Sequence, residues 1–149
     1  EVLPQGEVFL RLPPESQVWY LAHVWFTEFN WLYEYEARED DALSALKTSV
    51  VVRFSSYPIE QDIPIDQVLR DLIAFELADV AQDDLDDFLR FIDSVVFQPL
   101  DTFGIIKANE SHPMDKFIST ITGIRIPKLG HHILAEQKDY FKNRGLIPQ

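Results

Sequence analysis

The chain has 149 residues, of which 46% are apolar and 26% are charged, with a formal net charge of −12 and no cysteine. This length is typical of one domain, so we expect residues 1–149 to form a single globular unit, and the composition excludes a disordered chain. The missing cysteines exclude disulfides, thiolate metal sites and a cysteine nucleophile, and they favour a reducing, cytoplasmic location.

The start of the chain and its net charge bear on where the protein resides and on what it binds. The first residue is Glu1 rather than methionine, and no signal segment follows it, so we expect a trimmed start and no secretion signal. The longest uncharged run, residues 16–27, has twelve residues, whereas a membrane span needs about 20. Net negative charge also disfavours anionic membranes and direct nucleic-acid binding.

In chain order, the first predicted elements are an extended piece and a helix. Residues 8–12 predict a short extended segment that ends at Pro13. From Val18 onwards, apolar side chains recur every three or four residues, which predicts a helix. Alternating aromatic residues keep a strand as the second interpretation of residues 18–35. We favour the helix because the Glu-rich, Ala-containing end of this segment disfavours a strand.

The middle of the chain combines one strand with a pair of helices. Residues 42–47 predict a short helix, and residues 49–54, which are rich in β-branched side chains, predict the clearest strand of the chain. Apolar stripes then predict two amphipathic helices, over residues 65–77 and 85–96. We expect a tight turn near Gln82 to join these two helices as an antiparallel hairpin.

The C-terminal third predicts short strands and a final helix. Pro99 is expected to end the second amphipathic helix. Residues 103–106 and 121–126 predict short strands. The last helix is predicted over residues 130–143, with Gly145 just beyond its end in the position that favours a left-handed backbone.

These elements predict a helix-rich α+β fold of about four or five helices with a small sheet. The sheet would be built from residues 49–54 and one or more of the shorter strands. An all-α fold is the alternative.

Negative charge is concentrated in the middle of the chain. Residues 60–101 hold twelve carboxylates and two arginines, a net charge of −10, whereas residues 102–149 carry +3. Such segregation acts on partner choice and association rate rather than on the fold. The carboxylates expected to bind a basic partner are Asp79, Asp83, Asp84, Asp86, Asp87 and Asp93. A solvated surface that keeps the protein soluble is the alternative interpretation.

Aromatic residues are concentrated before this acidic segment. Eight of the nineteen aromatic residues lie between Trp19 and Tyr35. They point in too many directions around a helix for one neighbour to bury them all. We therefore expect either a central helix with core aromatics or a partner surface, and we assign Trp19 and Trp31 to partner binding because Trp often dominates interface energetics.

No local motif indicates catalysis, a cofactor or a metal. The pairs His132 with Glu136 and His112 with Asp115 are too loosely spaced to predict a metal site. The chain has no phosphate-binding loop, dinucleotide fingerprint or nucleophile elbow, so no cofactor is expected and no catalytic residue is assigned. Enzyme activity is left open, with the missing motifs favouring a non-enzymatic role.

The sequence leads to one functional expectation and two alternatives. We expect a non-enzymatic interaction module of the inhibitor, immunity, assembly-chaperone or nucleic-acid-mimic type, which docks a basic protein partner through acidic helices. The first alternative is a small enzyme or ligand-binding domain with a pocket among the aromatic residues, using His23 or the histidines His131 and His132. The second alternative is a structural subunit that assembles, as a homo-oligomer or in a larger complex, through its charge dipole.

Overall fold

The computed structural model describes residues 4–31, 41–73, 85–111 and 120–148. Its α-helices are α1 (Pro4–Leu10), α2 (Pro14–Thr27), α3 (Asp41–Phe54), α4 (Ile65–Ile73), α5 (Leu85–Ile92), α6 (Gln98–Thr102) and α7 (Lys128–Asn143). A turn of π-helix, Asp93–Phe97, joins α5 to α6. The strands β1 (Asp62–Pro64), β2 (Lys107–Ser111) and β3 (Thr120–Arg125) form an antiparallel sheet in the order β1-β3-β2. The predicted helix-rich α+β class with a small sheet is therefore confirmed, and the all-α alternative is wrong.

Most of the amphipathic helices form where the apolar spacing predicts them. The helical interpretation of residues 18–35 holds as far as Thr27, and residues 32–35 lie outside the described ranges. α4, α5 and the π-helical turn occupy the two predicted apolar stripes, while the predicted turn near Gln82 also lies outside the described residues. Gly145 has a φ of 70°, as expected just beyond the end of α7.

The predicted strand over residues 49–54 is wrong, because this segment is the second half of α3. Its buried side chains Leu46, Val50, Val51 and Phe54 recur at helical spacing and face the core. α3 packs against α4 and α7 along this face. Burial of one continuous helical face thus outweighs the weak β preference of three consecutive valines.

Two further predictions are also wrong: the extended segment over residues 8–12 and the helix end at Pro99. The segment predicted as extended, residues 8–12, is mostly helical, because α1 starts at Pro4 and ends at Leu10. Pro99 does not end the helix that precedes it, and instead lies in the first turn of α6. Proline has no N–H, so position 99 makes no backbone hydrogen bond to the preceding turn, although the helix continues through it.

The predicted strand over residues 103–106 is wrong as well, because this segment is a turn. The N–H groups of Ile105 and Ile106 both donate to the carbonyl of Leu100, at 2.8 and 3.3 Å. Gly104 has a φ of 74°, which a glycine adopts without steric cost. The strand begins only at Lys107, whereas the predicted strand over residues 121–126 is confirmed as β3.

The core brings the helices and one face of the sheet together. Its largest fully buried side chains include Trp31, Phe26, Phe54 and Phe97. α7 approaches the segment after α6 so closely that a Cβ atom at Gly130 would lie 1.8 Å from the carbonyl oxygen of Ile105. Glycine at position 130 is therefore a packing requirement of this crossing.

α2 contacts two other parts of the fold. Its side chains Ala22 and Phe26 are buried, and the indole N–H of Trp25 donates to the carbonyl of Val95 in the π-helical turn, at 2.9 Å. On another side α2 packs against α7. Within the described residues no helix, α2 included, combines the length and the apolarity needed to cross a membrane.

Candidate functional site

The acidic residues predicted to bind a partner are only partly described. Asp79, Asp83 and Asp84 lie outside the described residues. Asp86 and Asp87 lie in the first turn of α5, of which the backbone alone is described. Asp93 begins the π-helical turn and accepts a hydrogen bond from Gln98 Nε2 at 2.9 Å. The other oxygen, Asp93 Oδ1, is buried and meets no donor among the described residues.

The two tryptophans predicted to bind a partner differ in their surroundings. Trp19 is half-buried on α2, and its ring stacks on His23 with 4.9 Å between ring centroids. Trp31 is 1% exposed, and its indole N–H donates to the carbonyl of Trp25 at 3.0 Å. Lys47 Nζ lies 5.5 Å from the centroid of the Trp31 ring. Of the two rings, only that of Trp19 has a surface that a partner can reach.

His23 joins α2 to α7. The edge of its ring meets Tyr140, with 4.6 Å between centroids, and its Nδ1 donates to Gln137 Oε1 at 3.1 Å. Gln137 is fully buried, and its Nε2 has no hydrogen-bond partner among the described residues. Together with Trp19, these side chains fix how α2 and α7 lie against each other. Of these side chains, Trp19 and Tyr140 also line a surface groove.

This surface groove, the α2–α7 groove, has a volume of about 580 Å³. α2 contributes Glu15, Ser16 and Trp19 to its lining, and α7 contributes a face that extends from Leu129 to Asn143. Fourteen residue steps of helix correspond to about 21 Å at 1.5 Å per residue. The groove is therefore long compared with the width of a single side chain.

The charge of the α2–α7 groove is negative. Its ionisable lining side chains are Glu15, Glu136, Asp139 and His132, and none of the described lining residues is lysine or arginine. The N-terminal ends of α2 and α7 contribute about half a positive charge each. The three carboxylates outweigh these two partial positive charges, so the lining is net negative. The groove is thus suited to a cationic group.

Two of these carboxylates also have local roles. Glu136 Oε1 lies 3.4 Å from His132 Nε2 in an exposed i,i+4 pair. Glu15 lies in the first turn of α2, where a carboxylate favours the positive end of the helix dipole. Exposed pairs of this kind contribute little to stability. These roles therefore leave both carboxylates accessible to a partner.

A second cleft, the C-terminal cleft, lies where α2 and α7 end and has a volume of about 600 Å³. Lys47, which is 5% exposed, donates to the carbonyl of Phe29 at 2.6 Å, just beyond the end of α2. The guanidinium of Arg144, at the end of α7, lies 5.4 Å from the centroid of the Tyr140 ring. Glu28 and two negative helix ends balance these two cations, so this cleft is close to neutral.

Exposed apolar side chains are concentrated on α1 and α2. Six large ones lie between residues 8 and 29: Val8, Leu10, Leu12, Tyr20, Leu21 and Phe29. The side chain of Phe9 packs on Tyr20, with 5.8 Å between ring centroids, which joins the two helices. α1, α2 and the residues just beyond them therefore carry most of the large apolar side chains that are exposed in the described part of the chain.

Two hydrogen-bonded carboxylates elsewhere have structural roles. On the sheet, Arg125 donates to both oxygens of Asp62 at 3.0 and 2.9 Å, and Asn109 donates to Asp62 at 2.8 Å. The hydrogen bonds from Arg125, and to a smaller extent the one from Asn109, hold the pKa of Asp62 below its usual range. Burial, with a hydrogen bond to Asp71 at 2.7 Å, raises the pKa of Tyr57. These contacts join elements and leave no group poised for proton transfer.

Of the two histidine–carboxylate pairs considered as metal ligands, only one lies within the described residues. His132 and Glu136 form the exposed pair described above, and His112 and Asp115 lie outside the described residues. Across residues 4–31, 41–73, 85–111 and 120–148, no three His, Cys, Asp or Glu side chains converge on a point where they could hold a metal ion.

Compared with known protein families, curated proteins and solved structures, the chain matches none of them. The candidate site therefore rests on its own geometry. Of the residues that line the groove, Trp19, His132 and Glu136 were singled out in the sequence, whereas Glu15 and Asp139 were not, because α2 and α7 are brought together across more than a hundred residues. The only local signal was the pair His132 with Glu136 on one face of the last helix.

Proposed function

We propose that this protein is a non-enzymatic interaction module that docks a basic protein partner, and that the α2–α7 groove is its docking site. The observation that carries this proposal is the lining of the groove, which combines three carboxylates with the half-buried rings of Trp19 and Tyr140. Inhibitors, immunity proteins, assembly chaperones and nucleic-acid mimics belong to this functional class.

An arginine or lysine side chain matches this lining in two ways. Its charge pairs with a carboxylate, and its flat or aliphatic part packs on an indole or phenol ring. Trp and Tyr rings supply much of the binding energy at protein interfaces.

The acidic segment around Asp83 has a different role in this proposal. Its carboxylates attract a basic partner from a distance and raise the association rate, while the groove provides the close contacts. This division of roles is supported by the net charge of −10 over residues 60–101. It predicts that binding weakens as salt concentration rises, because salt screens exposed charges.

The test is affinity capture from native lysate with three forms of the protein. The wild type is compared with a groove variant, Glu136→Gln/Asp139→Asn, and with a matched control, Glu7→Gln/Asp66→Asn. Both variants lose two negative charges at exposed positions, so they have the same net charge. Only the first pair of positions lines the α2–α7 groove.

We expect the wild type and the matched control to capture the same basic protein at low salt, and to release it at high salt. We expect the groove variant to capture much less of it, since the local carboxylates are gone while the long-range charge is equal. Equal capture by all three forms would show that the groove is not the docking site. Capture of a partner without basic character would reject the proposal.

Binding of a small molecule in the C-terminal cleft is the second candidate function. It is favoured by the size of the cleft and by its lining, in which the rings of Phe26, Tyr140 and Phe141 accompany Lys47 and Arg144. Because Lys47 lies over the Trp31 ring, a ligand there should change tryptophan fluorescence. A screen of metabolites that leaves the fluorescence unchanged would count against this candidate.

We further propose a cytoplasmic location for the protein. The absence of cysteine supports it, because cysteine-free proteins depend on no oxidising compartment for folding. Cell fractionation with an antibody against the protein tests this proposal, and recovery outside the cytoplasmic fraction would reject it.

A further inference from the structure

The face of α7 that lines the α2–α7 groove has the residue spacing of a helix-packing seam. Leu129, Ile133, Glu136, Tyr140 and Asn143 follow one another at intervals of four, three, four and three residues. This is the spacing at which one helix presents side chains to another along its whole length. Ile133 is buried at the floor of the groove, and Leu129 and Tyr140 are half-buried.

A separate seam of α7 is already used by the core. Gly130, Leu134, Gln137 and Phe141 repeat the same spacing and are buried. α7 therefore has one seam packed inside the protein and a second seam that faces the groove. α2 flanks this second seam with Glu15 and Trp19, one helical turn apart. Two neighbouring helices with a groove between them form the seat for a third helix.

The chemistry of the groove walls favours a helix over an extended peptide as the occupant. Both walls are helices, whose interior N–H and C=O groups are already paired within the helix. An extended peptide gains affinity from main-chain hydrogen bonds with a sheet edge, which these walls do not offer. A helix of about 14 residues matches the groove length of about 21 Å.

We propose that the α2–α7 groove holds one amphipathic, basic helix of the partner. Its apolar residues, spaced three and four apart, pack on the half-buried side chains Leu129, Trp19 and Tyr140. Its flanking lysines or arginines pair with Glu15, Glu136 and Asp139, the charged rim of the groove. This inference rests on the proposed function, because it specifies the part of the basic partner that enters the same site.

The test uses two displayed peptide libraries of about 18 residues, or about 27 Å when helical. Both libraries vary Lys, Arg, Leu and Ile at the same seam and flank positions on an alanine-rich background. The second library carries proline at two interior positions, which prevents helix formation. Each library is selected on the wild type and counter-selected on Glu136→Gln/Asp139→Asn, and Glu7→Gln/Asp66→Asn is the matched control.

We expect groove-dependent clones from the helical library, with basic flanks and an apolar seam. Inserting the two prolines into such a clone should weaken its binding at least tenfold. A second result is that basic clones bind the wild type, fail to bind the groove variant and bind equally well after the two prolines are inserted. That result would show that the occupant is not a helix, while the proposed function would still stand. Clones that bind the groove variant as well as the wild type, or no binding clones from either library, would count against both.

Discussion

At the level of single residues, Gly130 is the most constrained position of the site's framework. A Cβ atom there would lie 1.8 Å from the Ile105 carbonyl oxygen, which is backbone and therefore cannot move aside cheaply. We expect Gly130→Ala to destabilise the protein by about 2–3 kcal/mol, as overpacked cores do. Urea unfolding measures this change. Gly145→Ala is the control: Gly145 has a φ of 70° and open space around it, so this change should cost only about 1 kcal/mol. A loss for Gly130→Ala that is equal to or smaller than this would contradict the close approach of α7 to Ile105.

The contact between Asp62 and Arg125 makes a pH-dependent contribution to stability. Because the hydrogen bonds from Arg125 lower the pKa of Asp62 in the folded state, the contribution is complete above the unfolded carboxyl pKa of about 3.9 and is lost as pH falls through the lower folded value. Arg125→Gln should therefore reduce the free energy of unfolding at neutral pH.

The difference between wild type and Arg125→Gln should then shrink towards zero in acid, which urea unfolding over a pH series measures. Arg11→Gln is the control, because its ion pair with Glu7 spans 4.0 Å between exposed side chains. A difference between wild type and Arg125→Gln that is constant from neutral to strongly acidic pH would reject this account of Asp62.

At the level of elements, the π-helical turn and α2 depend on each other. A π-helix is rare, and this one is joined to α2 by the bond from the Trp25 indole to the Val95 carbonyl. Trp25→Phe keeps an aromatic ring and removes the donor, so we expect it to cost about 1–3 kcal/mol of unfolding free energy. Trp19→Phe is the matched control, since stacking on His23 holds that ring.

Thermal and urea unfolding of the two variants should therefore differ, with only Trp25→Phe showing the larger loss. Equal stability of the two would show that the indole bond to the π-helical turn is unimportant. In a binding assay Trp19→Phe should show the larger loss of affinity, because Trp19 lines the α2–α7 groove and Trp25 does not.

Element by element, the apolar spacing predicted most helices and one strand, and the errors have identifiable causes. Residues 49–54 fold as helix because burial of Val50, Val51 and Phe54 on one helical face outweighs a local β preference. Pro99 was expected to end a helix, but it lies where a helical turn restarts after the π-helical turn. The π-helical turn has no signature in the local sequence, and Pro99 is compatible both with the end of one helix and with the first turn of the next.

For the whole molecule, the proposed function assigns long-range attraction to the acidic segment and close contact to the α2–α7 groove. We expect reversal of Asp83, Asp84, Asp86 and Asp87 to lysine to slow association with the captured partner by about tenfold or more at low salt. The unfolding midpoint of the variant is measured beside the rate, so that a loss of folded protein is not mistaken for slow association. Stopped-flow association measures the effect, and an unchanged rate would remove the acidic segment from the mechanism.

The candidate site was less predictable than the fold, for a reason that lies in the topology. The acidic composition and Trp19 are visible in the sequence, and both support a basic partner. The α2–α7 groove depends on contacts such as His23 with Gln137, which are separated by 114 positions. No periodicity within one helix indicates which distant helix will lie beside it.

The central claim is that the carboxylates of the α2–α7 groove, rather than net charge, hold the partner. The most direct measurement is the dissociation constant of the captured partner for the wild type, Glu136→Gln/Asp139→Asn and Glu7→Gln/Asp66→Asn, determined by fluorescence anisotropy at one salt concentration. We expect the dissociation constant to be at least about tenfold higher for the groove variant, a loss of about 1.4 kcal/mol in binding free energy, and less than about twofold higher for the control. Equal weakening by both variants would contradict the central claim, because only net charge would then matter.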